Sequence, residues 1–269
     1  IWTPVLDLKP YTPGLDDAGE DRGEKAEEDF IRRNPRWELI PLIKNKDVKK
    51  LLLISGRLHG HFCPGVSLGV QAAVSGLHRL SALKERSVAS VFAADGLEEL
   101  LAVIETNSCF ADGIQAVSGC TFGNNSLIYR DFGKTAVTFT NRTGNGIRVA
   151  VDPAYRDAID EAAPRFSELF DKVVKKQQRE ETLVTEFKKV SQEASFALLD
   201  IPEEKLFTFS ETEAELPGYA PIVDSVTCEK CGESVMGSKI VEQSGREMCI
   251  PCAESSYFTV TGTGISESS

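Results

Sequence analysis

The spacing of apolar side chains predicts two consecutive helices in the first third of the chain. Four apolar residues recur at helical spacing after Asp47, whose carboxylate suits a helix N-cap: Val48, Leu51, Leu52 and Leu58. A second helix is predicted over 66–83. Small residues recur along it and would let another element approach closely: Gly69, Ala72, Ala73 and Gly76. Between these helices the chain must turn sharply.

Beyond these helices, short apolar runs bounded by turn residues predict strands. Two strands are predicted at 87–93 and 100–105, and a short helix follows over 111–117. Three further strands are predicted to form a meander, with turns at 133–134 and 143–146: 126–130, 135–141 and 146–151.

The chain from 152 to 200 is predicted to be helical, and its last two helices are heavily charged. A short strand over 206–209 and an acidic, proline-containing linker are predicted to follow. The predicted segments are an extended arm (1–36), a core containing a helical hairpin at 152–200 (37–210), a linker (211–222), a four-cysteine module (223–258) and a frayed tail (259–269).

The net charge of the chain limits the kinds of partner that it can bind. The chain has 41 acidic and 30 basic residues, for a net charge of −11, which argues against broad binding to a nucleic-acid backbone. The sequence contains no apolar run of the roughly 20 residues that a membrane helix needs. It starts at Ile1 rather than at Met, so removal of an N-terminal segment is left open.

The seven cysteines indicate metal or thiol chemistry rather than a disulfide framework. Four of them form two Cys-x-x-Cys pairs separated by 17 residues, a spacing typical of a four-cysteine zinc site: Cys228, Cys231, Cys249 and Cys252. Such a small module cannot bury a core of its own, so zinc would hold it folded. A redox-active pair is the weaker alternative. Cysteines that are not arranged as a disulfide framework are typical of proteins in a reducing compartment, so the sequence predicts the cytoplasm.

A second group of reactive side chains surrounds the turn between the two first helices. His59, His61 and Cys63 lie within five residues, and Pro64 suits the first turn of the helix that follows. Cys63 would then lie at a helix N-terminus, which favours a thiolate. Cys109 and Cys120 also lie next to predicted element ends, and Asp112 lies on the same side of a short helix as Cys109. This set could ligate a transition metal, or supply a nucleophile and a base. The alternative is three ordinary buried thiols and two surface histidines.

Three ordered blocks of sequence resemble the FmdE family, which is named for the FmdE component of formylmethanofuran dehydrogenase. They are Gly60-His61-Phe62-Cys63-Pro64-Gly65, a second block from Glu105 through Cys109 and Asp112 to Gly123, and a third from Tyr129 to Ala136. The zinc knuckles match a module that many members carry. The resemblance covers 47–151 and 223–252. It departs at Gly123-Asn124-Asn125-Ser126, where members usually carry a lysine.

The resemblance implies an α+β fold: a mixed core with helices packed on a mostly antiparallel sheet, plus a small zinc-ribbon-like C-terminal module. It also implies homodimers and a core cavity. On this interpretation Cys63, His61 and Asp112 are candidate catalytic residues. The candidate ligands of a second transition metal in the core are His61, Cys63, Cys109 and Cys120, with His59 optional. The four knuckle cysteines hold a structural Zn²⁺.

The sequence leaves two functions open. The first is a formylmethanofuran-dehydrogenase-type accessory protein or small enzyme with a metal–thiolate core site. The second is a non-catalytic carrier of a metal, sulfur or small ligand for a molybdenum or tungsten oxidoreductase. Reduction of carbon dioxide by this chain alone is not implied, because the sequence lacks an iron–sulfur or pterin motif. A zinc-ribbon adaptor for nucleic acid is the least favoured alternative, given the acidic charge.

Overall fold

The computed structural model describes residues 32, 35–92 and 99–268 of the chain. The predicted N-terminal arm lies almost wholly outside the described residues. Within the described part, no helix combines the length and the apolar character needed to cross a bilayer.

A long buried helix forms the centre of the core. The first helices are α1 (Leu39–Lys44), α2 (Val48–His59), α3 (Pro64–Leu83), α4 (Val88–Phe92) and α5 (Cys109–Ser118). The carboxylate of Asp47 caps α2 by accepting the Lys50 N–H, as the sequence predicts. Apart from Gln71, the middle of α3 is apolar or small on every side, and it is buried from Val66 to Leu77, so neighbouring elements pack around it.

The main sheet has five strands in the order β2-β1-β3-β4-β5. Its strands are β1 (Leu101–Ile104), β2 (Leu127–Tyr129), β3 (Ala136–Thr140), β4 (Asn145–Val151) and β5 (Phe207–Glu213). All pairings are antiparallel except that between β1 and β2. Helices pack against this mostly antiparallel sheet, which confirms the predicted α+β fold class.

Two local predictions are wrong. The predicted strand at 87–93 is the helix α4 over Val88–Phe92, because a short apolar run does not by itself distinguish a strand from a buried helical turn. The predicted three-strand meander also fails. Strand β2 pairs in parallel with β1 rather than with β3. Helix α5 provides the crossover that a parallel pair requires. Only β3 and β4 form the predicted hairpin.

The second half of the core is a helical layer that rests on α3. Its helices are α6 (Tyr155–Ala162), α7 (Phe166–Phe170) continued by a π-helical turn (Asp171–Lys175), α8 (Glu181–Ala197) with a 3₁₀ turn (Leu198–Asp200), and α9 (Glu203–Leu206). Ser67 Oγ donates to the Ser195 carbonyl over 2.7 Å, and Gln71 Nε2 donates to the Leu198 carbonyl over 3.2 Å. These buried bonds fix α8 beside the N-terminal half of α3.

The C-terminal part consists of short hairpins. They are formed by β6 (Ser225–Thr227) with β7 (Ser234–Met236), β8 (Ile240–Gln243) with β9 (Arg246–Cys249), and β10 (Tyr257–Thr261) with β11 (Gly264–Ser268). Two boundaries differ from the sequence expectations. Strand β5 runs to Glu213, three residues into the predicted linker, because it pairs with β4 along its whole length. The predicted frayed tail is instead the β10–β11 hairpin, paired through Ser268.

Candidate metal centre

Three glycines bring the N-terminal ends of α3 and α5 into backbone contact. A Cβ added at Gly69 would lie 2.2 Å from the Phe110 carbonyl oxygen, and one at Gly113 would lie 2.5 Å from the Val66 carbonyl oxygen. A Cβ at Gly65 would lie 2.9 Å from the Cβ of Cys109. Only glycine fits such a close approach. The crossing therefore places the start of α5 directly beside the start of α3.

Both helices present a cysteine at this crossing. Cys63 is the N-cap residue of α3, with extended backbone angles, and Pro64 follows at the first helical position. Cys109 is the first residue of α5. Both thiols are half-buried. The positive ends of two helix dipoles thus face this point, which favours negative charge on sulfur.

His59 completes a three-residue group with these cysteines. The nearest ligand atoms of His59, Cys63 and Cys109 all lie within 4.8 Å of one another. Nε2 of His59 lies 3.6 Å from Cys63 Sγ. Helix α2 ends at His59, and Gly60 follows in the left-handed conformation with φ +84°, so the chain reverses and brings Cys63 back to the imidazole. One histidine and two thiolates form a ligand set that suits zinc.

Asp112 orients the imidazole. Its Oδ2 lies 2.8 Å from His59 Nδ1, and Gln115 Nε2 donates to its Oδ1 over 3.2 Å. An ionised carboxylate only accepts hydrogen bonds, so Nδ1 carries the proton and the lone pair of Nε2 points towards the thiols. A carboxylate behind the histidine is the usual outer partner of a metal-bound imidazole.

The hydrogen bond between the two thiols favours the thiolate form of Cys109. The hydrogen bond from the Cys63 thiol lowers the pKa of Cys109 to about 6. The same hydrogen bond, together with burial, raises the pKa of Cys63. Cys63, His59 and Asp112 are also arranged as a nucleophile, a base and an orienting group. The geometry of these three residues is therefore compatible with metal ligation and with nucleophilic catalysis by Cys63.

Two of the predicted core residues lie outside this group. The sequence favoured His61 over His59, but His61 is exposed and its ring lies beside that of His59, with 4.3 Å between the centroids. Cys120 is 1% exposed and directs its thiol to the Leu100 carbonyl. Burial raises the pKa of Cys120 to about 11, so it stays a neutral thiol. The candidate core ligands thus reduce to His59, Cys63 and Cys109.

Two supporting residues were not predicted from the sequence. Gln115 lies one helical turn after Asp112, a spacing that could have indicated it. Ser195 is fully buried, and its hydroxyl donates to the Cys63 carbonyl over 3.1 Å. It lies 132 residues away in sequence. No local pattern links such distant residues.

The four knuckle cysteines converge as predicted. Their sulfur atoms lie within 4.8 Å of one another. Cys228 is buried and accepts the Cys249 N–H over 3.3 Å. Hydrogen bonds from the backbone N–H groups of Cys231 and Cys249 lower the pKa of Cys228 to about 6, which favours the thiolate that zinc requires. Gly232 adopts φ +77° and allows the bend after the first knuckle.

Comparison with known proteins identifies both parts of the chain. The sequence model described as "FmdE, Molybdenum formylmethanofuran dehydrogenase operon" matches residues 58–208, more than half of the chain. This chain belongs to the FmdE family. The matched region contains all three candidate core ligands and Asp112. A "Prokaryotic dksA/traR C4-type zinc finger" matches residues 222–258, so the C-terminal module is a C4-type zinc finger.

Two individual proteins are also similar to this FmdE-family chain. A "Probable S-adenosyl-L-methionine-binding protein" from Archaeoglobus fulgidus is 36% identical over 98% of this chain. The chain spans 65% of the length of that relative. A solved structure of an FmdE-like protein of the tungsten formylmethanofuran dehydrogenase type, from Syntrophus aciditrophicus, is 20% identical. The match covers 77% of this chain and 91% of the solved chain, with a TM-score of 0.46.

Proposed function

We propose that this FmdE-family chain binds one transition metal ion in its core, through His59, Cys63 and Cys109, in addition to the structural zinc of its C-terminal finger. The observation that carries the proposal is the position of His59 between Asp112 and the two thiols. Zinc is the favoured ion, because a borderline-soft metal suits one imidazole and two thiolates.

The number of protein ligands bears on what the metal does. Closed structural zinc sites have four protein ligands, whereas sites that bind a substrate or water have three. A three-ligand core site leaves one coordination position for a small molecule. His61 is exposed, and its ring lies beside that of His59. A bound metal would supply Lewis acidity there, while Asp112 holds the His59 proton at Nδ1.

The same arrangement serves a catalytic or a carrier role. In the first, the chain is a small enzyme or accessory protein that acts on a ligand held at the open position. In the second, it delivers the metal, sulfur or ligand to a molybdenum or tungsten oxidoreductase. The family description, which refers to a molybdenum formylmethanofuran dehydrogenase operon, supports a partner of this class.

A second candidate function is binding of S-adenosylmethionine. It is supported by the 36% identity to the Archaeoglobus fulgidus relative over almost the whole chain. Equilibrium dialysis of the purified chain against radiolabelled S-adenosylmethionine tests it directly. Saturable uptake of one equivalent supports this function, and uptake no greater than that of a serum-albumin control excludes it.

Cobalt substitution tests the core metal site. In a Cys228→Ala/Cys231→Ala background, the finger has lost two of its ligands, so the core is the site with a complete ligand set. We expect one equivalent of Co²⁺ to produce thiolate charge-transfer absorption and tetrahedral d–d bands. These should disappear in Cys109→Ala and persist in Cys120→Ala, which removes a thiol outside the group. Absence of these bands in the background variant would refute the proposal.

A further inference from the structure

The C-terminal hairpin β10–β11 contacts the core beside the connection that carries Cys109. Asn107 lies in the four-residue connection between β1 and α5, and its side-chain amide donates to the Thr261 carbonyl. The N–H of Ile265 donates to Asp131 Oδ2 over 2.7 Å. The tip of the hairpin is therefore attached to the loops that follow β1 and β2 of the main sheet.

The carboxylate of Asp131 is oriented towards this tip. The Tyr129 hydroxyl donates to its Oδ1 over 2.7 Å and so orients the carboxylate towards the hairpin. Gly264 adopts φ +105°, and a Cβ added there would lie 2.3 Å from Asp131 Oδ2. The backbone conformation therefore favours glycine, and an added Cβ would displace the Asp131 carboxylate. Hydrogen bonds from Ile265 N–H and then Tyr129 keep the pKa of Asp131 below its usual value, so the carboxylate is charged at neutral pH.

The other end of the hairpin is attached to the zinc finger. The N–H of Ser255 donates to the Ile250 carbonyl, inside the second cysteine knuckle, and the hairpin begins two residues later. The Ser256 hydroxyl donates to Glu267 Oε1 and closes the base of the hairpin. An isolated two-stranded hairpin is only marginally stable in water, so both attachments are needed to order it.

We propose that this hairpin is a strap which couples the zinc finger to the core site by restraining the connection that leads into Cys109. This proposal rests on the function proposed above for the part that concerns metal binding. In it, Asp131 is a positioning residue that acts through Gly264, Ile265 and Asn107. Loss of zinc from the finger frees the base of the strap, and the connection before Cys109 then becomes more mobile. Because coupling is reciprocal, core metal stabilises the docked strap.

Two glycines in the tip provide a matched test. Gly264→Ala cannot dock without moving Asp131, whereas a Cβ at Gly262 meets no atom within 4 Å. After a mild chelator has cleared the three-ligand site, we measure the rate of iodoacetamide labelling of Cys109 by mass spectrometry. We expect labelling about five- to tenfold faster in Gly264→Ala than in Gly262→Ala, as loss of one or two hydrogen bonds implies. Cys231→Ser, which opens the finger, should raise the rate similarly.

Conservative replacement separates positioning from general destabilisation. Asp131→Asn keeps an oxygen that accepts the Ile265 N–H. Labelling of Cys109 should therefore be slower in Asp131→Asn than in Asp131→Ala. Equal Cys109 labelling in Gly264→Ala and Gly262→Ala would overturn the strap.

Co²⁺ affinity is measured in parallel, in otherwise wild-type chains whose finger keeps its zinc. If Gly264→Ala accelerates labelling but no variant binds core Co²⁺, the strap stands and the proposed metal function fails. If wild type binds Co²⁺ in the core but Gly264→Ala and Gly262→Ala label Cys109 at equal rates, the proposed metal function stands and the strap proposal fails.

Discussion

His59 and Asp112 lie in polar contact at the proposed core site, with 2.8 Å between Nδ1 and Oδ2. The carboxylate fixes the imidazole tautomer and so directs Nε2 at the thiols. We predict that Asp112→Ala lowers the affinity of the core for Co²⁺ by about 10–100-fold, the usual cost of removing such an outer partner. Asp112→Asn keeps an oxygen that can accept the hydrogen bond, so its affinity for Co²⁺ should fall less than that of Asp112→Ala. Competition titration with a chromophoric chelator measures both, and equal affinity in Asp112→Ala and wild type would contradict the role of Asp112.

The glycine crossing of α3 and α5 should be sensitive to a single methyl group. Gly69→Ala places a Cβ against the Phe110 carbonyl oxygen, so the helices must separate. We expect a loss of about 1–3 kcal/mol in the free energy of unfolding, as for other overpacked cores, and weaker core metal binding. Urea unfolding followed by circular dichroism measures the first effect. Gly123→Ala is the control, because its Cβ meets only Thr121 Oγ1 at 4.0 Å. Equal stability of the two variants would argue against the close crossing.

The thiol pair predicts a specific pH dependence in the chain cleared of core metal. A thiolate reacts with iodoacetamide and a thiol does not, so Cys109 labelling should rise as the pH increases through about 6, its pKa in the fold. Cys63→Ala removes the main hydrogen-bond donor to Cys109, so its midpoint should move to higher pH. A wild-type midpoint near the ordinary cysteine value of about 8.5 would contradict this arrangement.

The zinc finger should unfold without its metal while the core remains folded. Its buried residues are few: Cys228, Met248, Cys249 and Ala253. Such a small cluster cannot hold the module without zinc. We predict that Cys228→Ser makes the C-terminal module sensitive to limited proteolysis, starting near the fully exposed Ile222, and leaves a protected core fragment. Cys120→Ala, which lies outside the finger, should digest like wild type. Unchanged protection of the finger in Cys228→Ser would refute the structural role of zinc.

Features with strong local chemistry were predictable from the sequence. The knuckle cysteines are identified by spacing alone, because four thiolates at that spacing have few other uses. Helix α2 and its Asp47 cap are predicted by apolar periodicity and a short acidic side chain. Cys63 at the N-terminus of α3 follows from Pro64. In each case the determining interaction lies within a few residues.

Features that depend on distant contacts were not predictable. His59 and His61 look equivalent in the sequence. Only the left-handed turn at Gly60 and the position of Asp112 on α5 decide which ring meets the thiols. Cys120 resembles a site residue, but the chain turn at Gly119 directs it into the core. The parallel pairing of β1 with β2 and the support of Cys63 by Ser195 likewise require the completed fold.

Metal stoichiometry is the most direct test of a core metal site beside the finger. Purified chains, loaded with zinc and freed of excess, are measured by plasma mass spectrometry. We predict two zinc ions per wild-type chain. One should remain in Cys63→Ser/Cys109→Ser and one in Cys228→Ser/Cys231→Ser, while Cys120→Ala keeps both. A single zinc ion in the wild type that persists in Cys63→Ser/Cys109→Ser would contradict the central claim.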